Sequence, residues 1–180
     1  MTFSETTLSG VLLITPSVHG DSRGFFLESY RLEWFAQRGI PPFVQDNHSR
    51  SVRNTLRGLH FQHPHGQGKL IRVTSGAVYD VLVDVRLGSP AFGEWEGYEL
   101  SADNYRMLYV PPGFAHGFCV LSDSADFIYK CTEYYHRDSE QTLLWNDPAL
   151  AVEWPVQEPI LSEKDRNGVP LKELSRFPEY

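Results

Sequence analysis

The sequence has few cysteines, no long apolar run and little positive charge, and each shortage excludes some classes of protein. Among its 180 residues only two are cysteines, Cys119 and Cys131, and both lie in apolar or strand-like runs. We therefore expect free, buried thiols and a reducing, cytoplasmic location. No apolar run reaches the roughly 18 residues that a membrane-spanning helix needs. Residues 1–10 lack a basic region followed by an apolar segment, so we expect no secretion signal.

Positive charge is also scarce. Lys and Arg number 16 against 23 Asp and Glu, which gives a formal net charge of −7. A general nucleic-acid binder needs a basic face, so this balance argues against that function but leaves room for a local cationic pocket. The hydrophobic content of 41% and the length both fit one domain spanning 1–180 with a substantial core.

Short strand-like segments dominate what is present, and they predict an all-β fold. In Ala77–Arg86, apolar positions at Val81 and Val83 alternate with Leu82 and Asp84 on the other face. A short helix is predicted over 31–38, a turn over 18–24, and a helical turn capped by Ser162. About ten strands with frequent turns predict a double-sheet jelly roll with a few short helices. Two regions, Leu56–Gln62 with Gly68-Lys69-Leu70 and Pro111–His116, resemble the two motif regions of a cupin barrel. The strand candidates are 10–16, 24–30, 43–51, 55–62, 69–75, 77–86, 94–100, 106–110, 117–121 and 127–135.

A metal-binding cupin presents His-x-His followed about four residues later by Glu. Here His63-Pro64-His65 has the spacing, but Lys69 occupies the Glu position. A protonated lysine cannot ligate a divalent metal, and Pro64 disfavours a regular strand. We therefore expect His63 and His65 to lie in a loop and the protein to bind no catalytic metal.

His60 is the one histidine in the run Leu56–Gln62, and an imidazole suits a general base. The alternative is a core histidine satisfied by a backbone carbonyl. Arg57 lies three residues away, so in a regular strand the two side chains would point to opposite faces. A β-bulge at Gly58 would bring both to one side.

Tyr129 is a candidate proton donor on the segment Phe127–Tyr135. Strand alternation would place it on one face with Cys131, Glu133 and Tyr135. A phenol can return a proton to a carbanion when it is aimed at one. The alternative is an ordinary core aromatic.

Several ordered motifs carry a specific resemblance. They are Gly20-Asp21-x-Arg23-Gly24-Phe25-Phe26-x-Glu28, Gln45-Asp46-Asn47-His48, Leu56-Arg57-Gly58-Leu59-His60-Phe61-Gln62, Gly68-Lys69-Leu70, Gly113-Phe114-Ala115-His116-Gly117, Tyr129-Lys130-Cys131-Thr132 and Ser162-x-Lys164-Asp165. From about residue 8 to residue 170, the chain resembles the dTDP-4-dehydrorhamnose 3,5-epimerase family.

The resemblance implies a cofactor-free homodimer that acts on a dTDP-linked 4-keto-6-deoxyhexose. It implies that His60 is the base, that Asp165 orients it, that Tyr129 is the acid and that Lys69 stabilises the enolate oxygen. It also implies an exchange of an N-terminal strand across the dimer, so that some binding residues come from the partner. The implied substrate-binding residues are Arg23, Glu28, Gln45, Asp46, Asn47, Arg57, Lys69, His116, Glu140 and Lys164.

Three alternatives remain open from the sequence. A mono-epimerase acting on C3 or C5 alone would share these residues. A nucleotide-sugar-binding cupin without enzymatic activity would require that His60 or Tyr129 has no catalytic role. A metal-dependent cupin oxygenase or isomerase is disfavoured by Lys69.

Overall fold

Thirteen β-strands and two short α-helices form the architecture in the computed structural model, which describes residues 1–180. The strands are β1 (Thr2–Glu5), β2 (Leu12–Thr15), β3 (Val18–Asp21), β4 (Gly24–Leu27), β5 (Gln45–Val52), β6 (Leu56–Gln62), β7 (Lys69–Ser75), β8 (Ala77–Asp84), β9 (Trp95–Ser101), β10 (Met107–Val110), β11 (Phe114–Val120), β12 (Ser124–Cys131) and β13 (Glu140–Thr142). The helices are α1 (Leu32–Ala36) and α2 (Glu163–Arg166), and single 3₁₀ turns lie at Arg137–Ser139 and Leu171–Glu173.

Two antiparallel sheets face each other and confirm the predicted all-β cupin-type jelly roll. The six-stranded sheet has the order β1-β2-β10-β7-β12-β5, and the five-stranded sheet has the order β13-β6-β11-β8-β9. The pair β3–β4 stands apart as a two-stranded hairpin. Fourteen buried residues fill the space between the sheets, among them Ile71, Leu82 and Phe127.

The outer faces of both sheets are covered as well. Val81, Val83 and Val85 pack under the segment that follows β13, with Leu143 and Leu150 in the same cluster. On the other sheet, the side chains of Ile14, Leu70 and Met107 pack against Phe35 of α1. The predicted alternation in β8 is confirmed, since Val81 and Leu82 belong to different clusters yet are both fully buried.

Some element boundaries were predicted wrongly. The segment predicted as a strand over 127–135 ends at Cys131, because its partner β5 begins at Gln45, directly opposite Cys131. Glu133 and Tyr135 therefore do not share a strand face with Tyr129. Residues 18–21, predicted as part of a turn, form β3, and the turn that follows is confined to Ser22 and Arg23.

Two short segments outside the main strands behave as the sequence suggests. The hydroxyl of Ser162 accepts a hydrogen bond from the backbone N–H of Asp165, which confirms the predicted cap of α2. His63 and His65 lie in the loop that follows β6. No helix of the structure is long and apolar enough to span a membrane.

Candidate active site

A cavity of about 360 Å³ opens between the two sheets, and side chains from both line it. It brings together most of the predicted site residues. The lining residues are Asn47, His48, Ser49, Arg57, His60, Lys69, His116, Gly117, Phe118, Phe127, Tyr129, Glu140, Ser162, Lys164 and Asp165.

His60 on β6 and Asp165 on α2 form a hydrogen-bonded pair in the wall of this cavity. The distance from His60 Nε2 to Asp165 Oδ1 is 2.6 Å. Asp165 is held in turn by the Ser162 hydroxyl, which donates to Oδ2 at 2.6 Å. Because Nε2 donates to the carboxylate, His60 Nδ1 keeps a free lone pair that can accept a proton.

The electrostatics of this pair suit a base. Burial lowers the pKa of His60, although the hydrogen bond to Asp165 opposes the change. Burial on its own would raise the pKa of the Asp165 carboxyl, but the hydrogen bonds from His60 and Ser162 outweigh it and lower that pKa. At neutral pH, His60 is therefore an uncharged imidazole beside a carboxylate.

A β-bulge at Gly58 explains how Arg57 and His60 reach the same cavity. His116 of β11 lies opposite His60, while Phe118 lies opposite Arg57, so three steps along β6 match two along β11. Gly58 has a φ of +126°, and a Cβ there would lie 2.5 Å from the Cα of Gly117. The predicted bulge is confirmed, and glycine is needed at this close approach.

The opposite wall contributes Lys69 from β7 and Tyr129 from β12. Cys131 lies opposite Lys69 in the register and Asn47 lies opposite Tyr129, so these side chains share the inner face. Burial lowers the pKa of Lys69, with Cys131 and Asp80 opposing the change. Burial raises the pKa of Tyr129, and Cys131 and Glu140 add to it, so the phenol keeps its proton at neutral pH.

Asp80 is a site residue that the sequence analysis missed. His116 Nε2 lies 2.9 and 3.0 Å from the two carboxyl oxygens of Asp80, and the Asp80 side chain is fully buried. Burial raises the pKa of the Asp80 carboxyl against the opposing effects of His116 and Lys69. The sequence offered one clue: Asp80 is an acidic residue on the same strand face as Leu82, in a strand whose two faces both carry apolar residues.

The rim of the cavity is charged and more exposed. Lys164 Nζ donates to Glu140 Oε1 at 2.8 Å, and Tyr135 Oη donates to Glu140 Oε2 at 3.1 Å. Burial alone would raise the pKa of the Glu140 carboxyl, but the Lys164 ammonium holds that pKa below its ordinary value. Arg57 Nε donates to the hydroxyl of Ser51 at 3.0 Å.

Four predicted binding residues do not line the cavity within this chain. Arg23 pairs with Asp21 on the β3–β4 turn, and Glu28 pairs with Arg31. Asp46 forms an ion pair with Lys130. Gln45 lies at the cavity's edge, where its amide donates to Asn47 Oδ1 and accepts from the backbone N–H of Tyr135.

The histidines with metal-site spacing lie outside the cavity lining. The ring of His65 stacks on His136 with the centroids 4.2 Å apart. No group of three or more His, Cys, Asp or Glu side chains is arranged to hold a metal ion. The donor set of the cavity is instead one of proton-handling and cationic groups.

Fold and site together define a cupin-type barrel whose cavity has the His60–Asp165 pair on one wall and Tyr129 and Lys69 on the other. Comparison with known proteins agrees. The sequence profile of the family described as dTDP-4-dehydrorhamnose 3,5-epimerase matches residues 5–173. The chain belongs to this family and is therefore an isomerase-class enzyme.

Three relatives illustrate the similarity. A dTDP-4-dehydrorhamnose 3,5-epimerase of Pseudomonas aeruginosa is 50% identical over 99% of this chain and 100% of the relative. The crystal structure of a Legionella pneumophila 3,5-epimerase in complex with dTDP-4-keto-L-rhamnose has a TM-score of 0.96 and 47% identity, covering 99% of this chain and 98% of that one. A dTDP-4-dehydrorhamnose 3-epimerase of Streptomyces niveus is 41% identical over 92% of this chain and 82% of the relative.

Proposed function

We propose that this protein epimerises dTDP-4-dehydro-6-deoxy-D-glucose at C3 and C5 to give dTDP-4-dehydro-L-rhamnose. The observation that carries the proposal is the placement of the His60–Asp165 pair on one sheet side of the cavity and Tyr129 on the other. A base and an acid on opposite walls can remove a proton from one face of a sugar ring and return one to the other.

The first step is proton abstraction next to the C4 carbonyl. That carbonyl acidifies the hydrogens at C3 and C5, and His60 Nδ1 is the available lone pair. As the proton leaves, Asp165 supports the imidazolium that forms, and negative charge moves to the oxygen at C4. The Lys69 ammonium, which faces the same cavity, stabilises that oxygen in a water-poor site.

The second step is reprotonation from the opposite face. Tyr129 keeps its proton at neutral pH and can deliver it to the carbanion carbon, which inverts the configuration. After His60 has released its proton to solvent and Tyr129 has regained one, the same pair of steps at the second carbon completes the double epimerisation. Neither step requires a redox cofactor or a metal ion, because only protons move.

The nucleotide is held by the remaining polar residues. Arg57 and Lys164 at the rim are suited to the diphosphate, since a guanidinium offers a planar fork of donors to phosphate oxygens. Asn47, His116 and Glu140 lie within reach of the sugar end of the cavity.

A homodimer completes the site in this proposal. Arg23 and Glu28 lie near an isolated hairpin whose Phe25 and Phe26 are 55% and 70% exposed. Apolar side chains of this size on a free hairpin suit contact with another subunit. Arg23, Glu28, Gln45 and Asp46 would then contribute to nucleotide binding in or beside the partner's cavity.

We also propose a single domain over 1–180 and, from the two buried free thiols, a cytoplasmic location.

The test is incubation with dTDP-4-dehydro-6-deoxy-D-glucose followed by proton NMR of the sugar. Inversion at both C3 and C5 supports the proposal. The second candidate is a 3-epimerase, favoured by the similarity to the Streptomyces niveus relative, and it predicts inversion at C3 alone. Tight binding of dTDP without any turnover would contradict both.

A further inference from the structure

Besides His60–Asp165, a second histidine–carboxylate pair lies at the cavity, where His116 lines the wall and Asp80 is buried behind it. His116 lies directly opposite His60 on the neighbouring strand β11, and its Nε2 contacts both oxygens of Asp80 on β8. The His116 side chain is 7% exposed and that of Asp80 is 0% exposed. The proton-transfer steps described above use neither member of this pair.

A fully buried carboxylate is costly unless it is paired with a positive charge. An imidazolium would supply that charge, and His116 is the hydrogen-bond partner of the Asp80 side chain. Because Nε2 is engaged by Asp80, the protonated Nδ1 is the donor that remains for a ligand in the cavity.

The position of His116 indicates which ligand atom it meets. Arg57 and Lys164 are exposed at the rim, where a hydrated diphosphate is best held. His116 lies deeper, in register with the base, so it is beside the reacting sugar rather than the phosphates. The other titratable groups that share this cavity are His60 on β6, Lys69 on β7, Tyr129 on β12, Glu140 on β13 and Asp165 on α2.

We propose that Asp80 is a positioning residue that holds His116 as an imidazolium, and that His116 Nδ1 donates, together with Lys69, to the oxygen at C4 as it becomes negative. The inference rests on the proposed epimerase function and adds a second donor to the enolate site. A pair of fixed donors aimed at a developing oxyanion acts mainly on the rate and not on ground-state binding.

The test compares Asp80→Asn with Asp84→Asn. Asp84 lies on the same strand and is also fully buried, but its partners Arg86 and Ser89 do not line the cavity, whereas His116, the partner of Asp80, does. Each variant is assayed for dTDP affinity by calorimetry and for deuterium incorporation at C3 and C5 in D2O. We expect Asp80→Asn to slow incorporation on the order of 10- to 100-fold with dTDP affinity unchanged, while Asp84→Asn exchanges at the wild-type rate per folded molecule.

A second measurement does not depend on the variant folding. ¹⁵N NMR of the wild-type protein, with the signals assigned by comparison with His116→Gln, reports the protonation of both ring nitrogens. We expect both nitrogens of His116 to carry protons at pH 7. We also expect Asp80→Asn to add no further loss of exchange in the His116→Gln background.

Three results would overturn the inference. They are a neutral His116 ring at pH 7, equal exchange rates in Asp80→Asn and Asp84→Asn, or a fall in dTDP affinity that matches the fall in exchange, which would assign His116 to the diphosphate. The wild-type assay separates this question from the function itself. If the wild-type protein exchanges no deuterium, the proposed function fails, whereas normal wild-type exchange with an unaffected Asp80→Asn rejects only the role of Asp80.

Discussion

The Nε2 atom of His60 lies 2.6 Å from Oδ1 of Asp165, although the two residues are 105 positions apart in the chain. β6 carries the imidazole, and the one-turn helix α2, capped by Ser162, carries the carboxylate. The pair fixes which ring nitrogen is protonated and leaves the other to act as a base.

Replacing Asp165 with Asn should lower turnover far more than binding. The amide cannot support the imidazolium and can hold the ring in the wrong tautomer, so we expect kcat to fall on the order of 10²-fold or more. The affinity for dTDP should change little, because both carboxylate oxygens of Asp165 are engaged by His60 and Ser162. The matched control is Glu163→Gln, an exposed residue of the same helix, which should leave kcat unchanged. Equal losses in kcat and dTDP affinity would argue against this role.

Replacing His60 with Asn should remove proton abstraction at both carbons. Solvent exchange, followed by mass spectrometry of the sugar in D2O, should disappear while dTDP still binds. His63→Asn is the control, because His63 lies in the loop after β6 and outside the cavity lining. Loss of activity in His63→Asn with retention in His60→Asn would instead favour a metal-dependent cupin.

Replacing Tyr129 with Phe should separate abstraction from inversion. His60 is untouched, so it can still remove a proton and return one to the same face, but the donor on the opposite wall is gone. We expect deuterium to enter the sugar with retained configuration, and product formation to fall on the order of 10²-fold. Product NMR and mass spectrometry on one sample measure both quantities. Full inversion by Tyr129→Phe would show that another group is the acid.

The rate should depend on pH through His60. Burial lowers the pKa of His60 below its ordinary value of 6.5, so the neutral base persists to lower pH than for a free imidazole. We therefore expect the acid limb of kcat/KM to lie below pH 6.5. Since Asp165 opposes the shift, Asp165→Asn should move that limb to still lower pH. Movement to higher pH would contradict the assigned electrostatics.

Replacing Gly58 with Ala should damage both stability and activity. The new Cβ would meet the backbone of Gly117 and His116 at 2.5 and 2.8 Å, and the φ of +126° is strained for any other residue. We expect a loss on the order of 3 kcal/mol in the free energy of unfolding, measured by denaturant titration. Gly88→Ala is the control, since Gly88 has a φ of +84° with nothing within 4 Å. Its loss should be on the order of 1 kcal/mol, with activity retained.

The sequence was sufficient for the fold class and for much of the site. Strand alternation gave the barrel, and the resemblance assigned roles to His60, Lys69, Tyr129 and Asp165, which the structure brings to one cavity. Even the bulge at Gly58 could be expected, because Arg57 and His60 had to share a face.

The features that could not be predicted from the sequence depend on pairing between residues that are far apart in the chain. Tyr135 was predicted to lie on a strand face because nothing local ends the strand, which stops at Cys131 because β5 and β7 both begin opposite that residue. Asp80 was not predicted as a site residue, because its partner His116 is 36 residues away in the chain. The roles of Arg23 and Glu28 depend on a second subunit, which no pattern within one chain can supply.

The most direct test of the central claim is incubation of the wild-type protein with dTDP-4-dehydro-6-deoxy-D-glucose in D2O, with the deuterium located in the sugar by mass spectrometry. We expect incorporation at both C3 and C5 in the wild-type protein and at neither carbon in His60→Asn. Incorporation at one carbon alone would make the protein a mono-epimerase, and no incorporation at either carbon with dTDP binding intact would contradict the account.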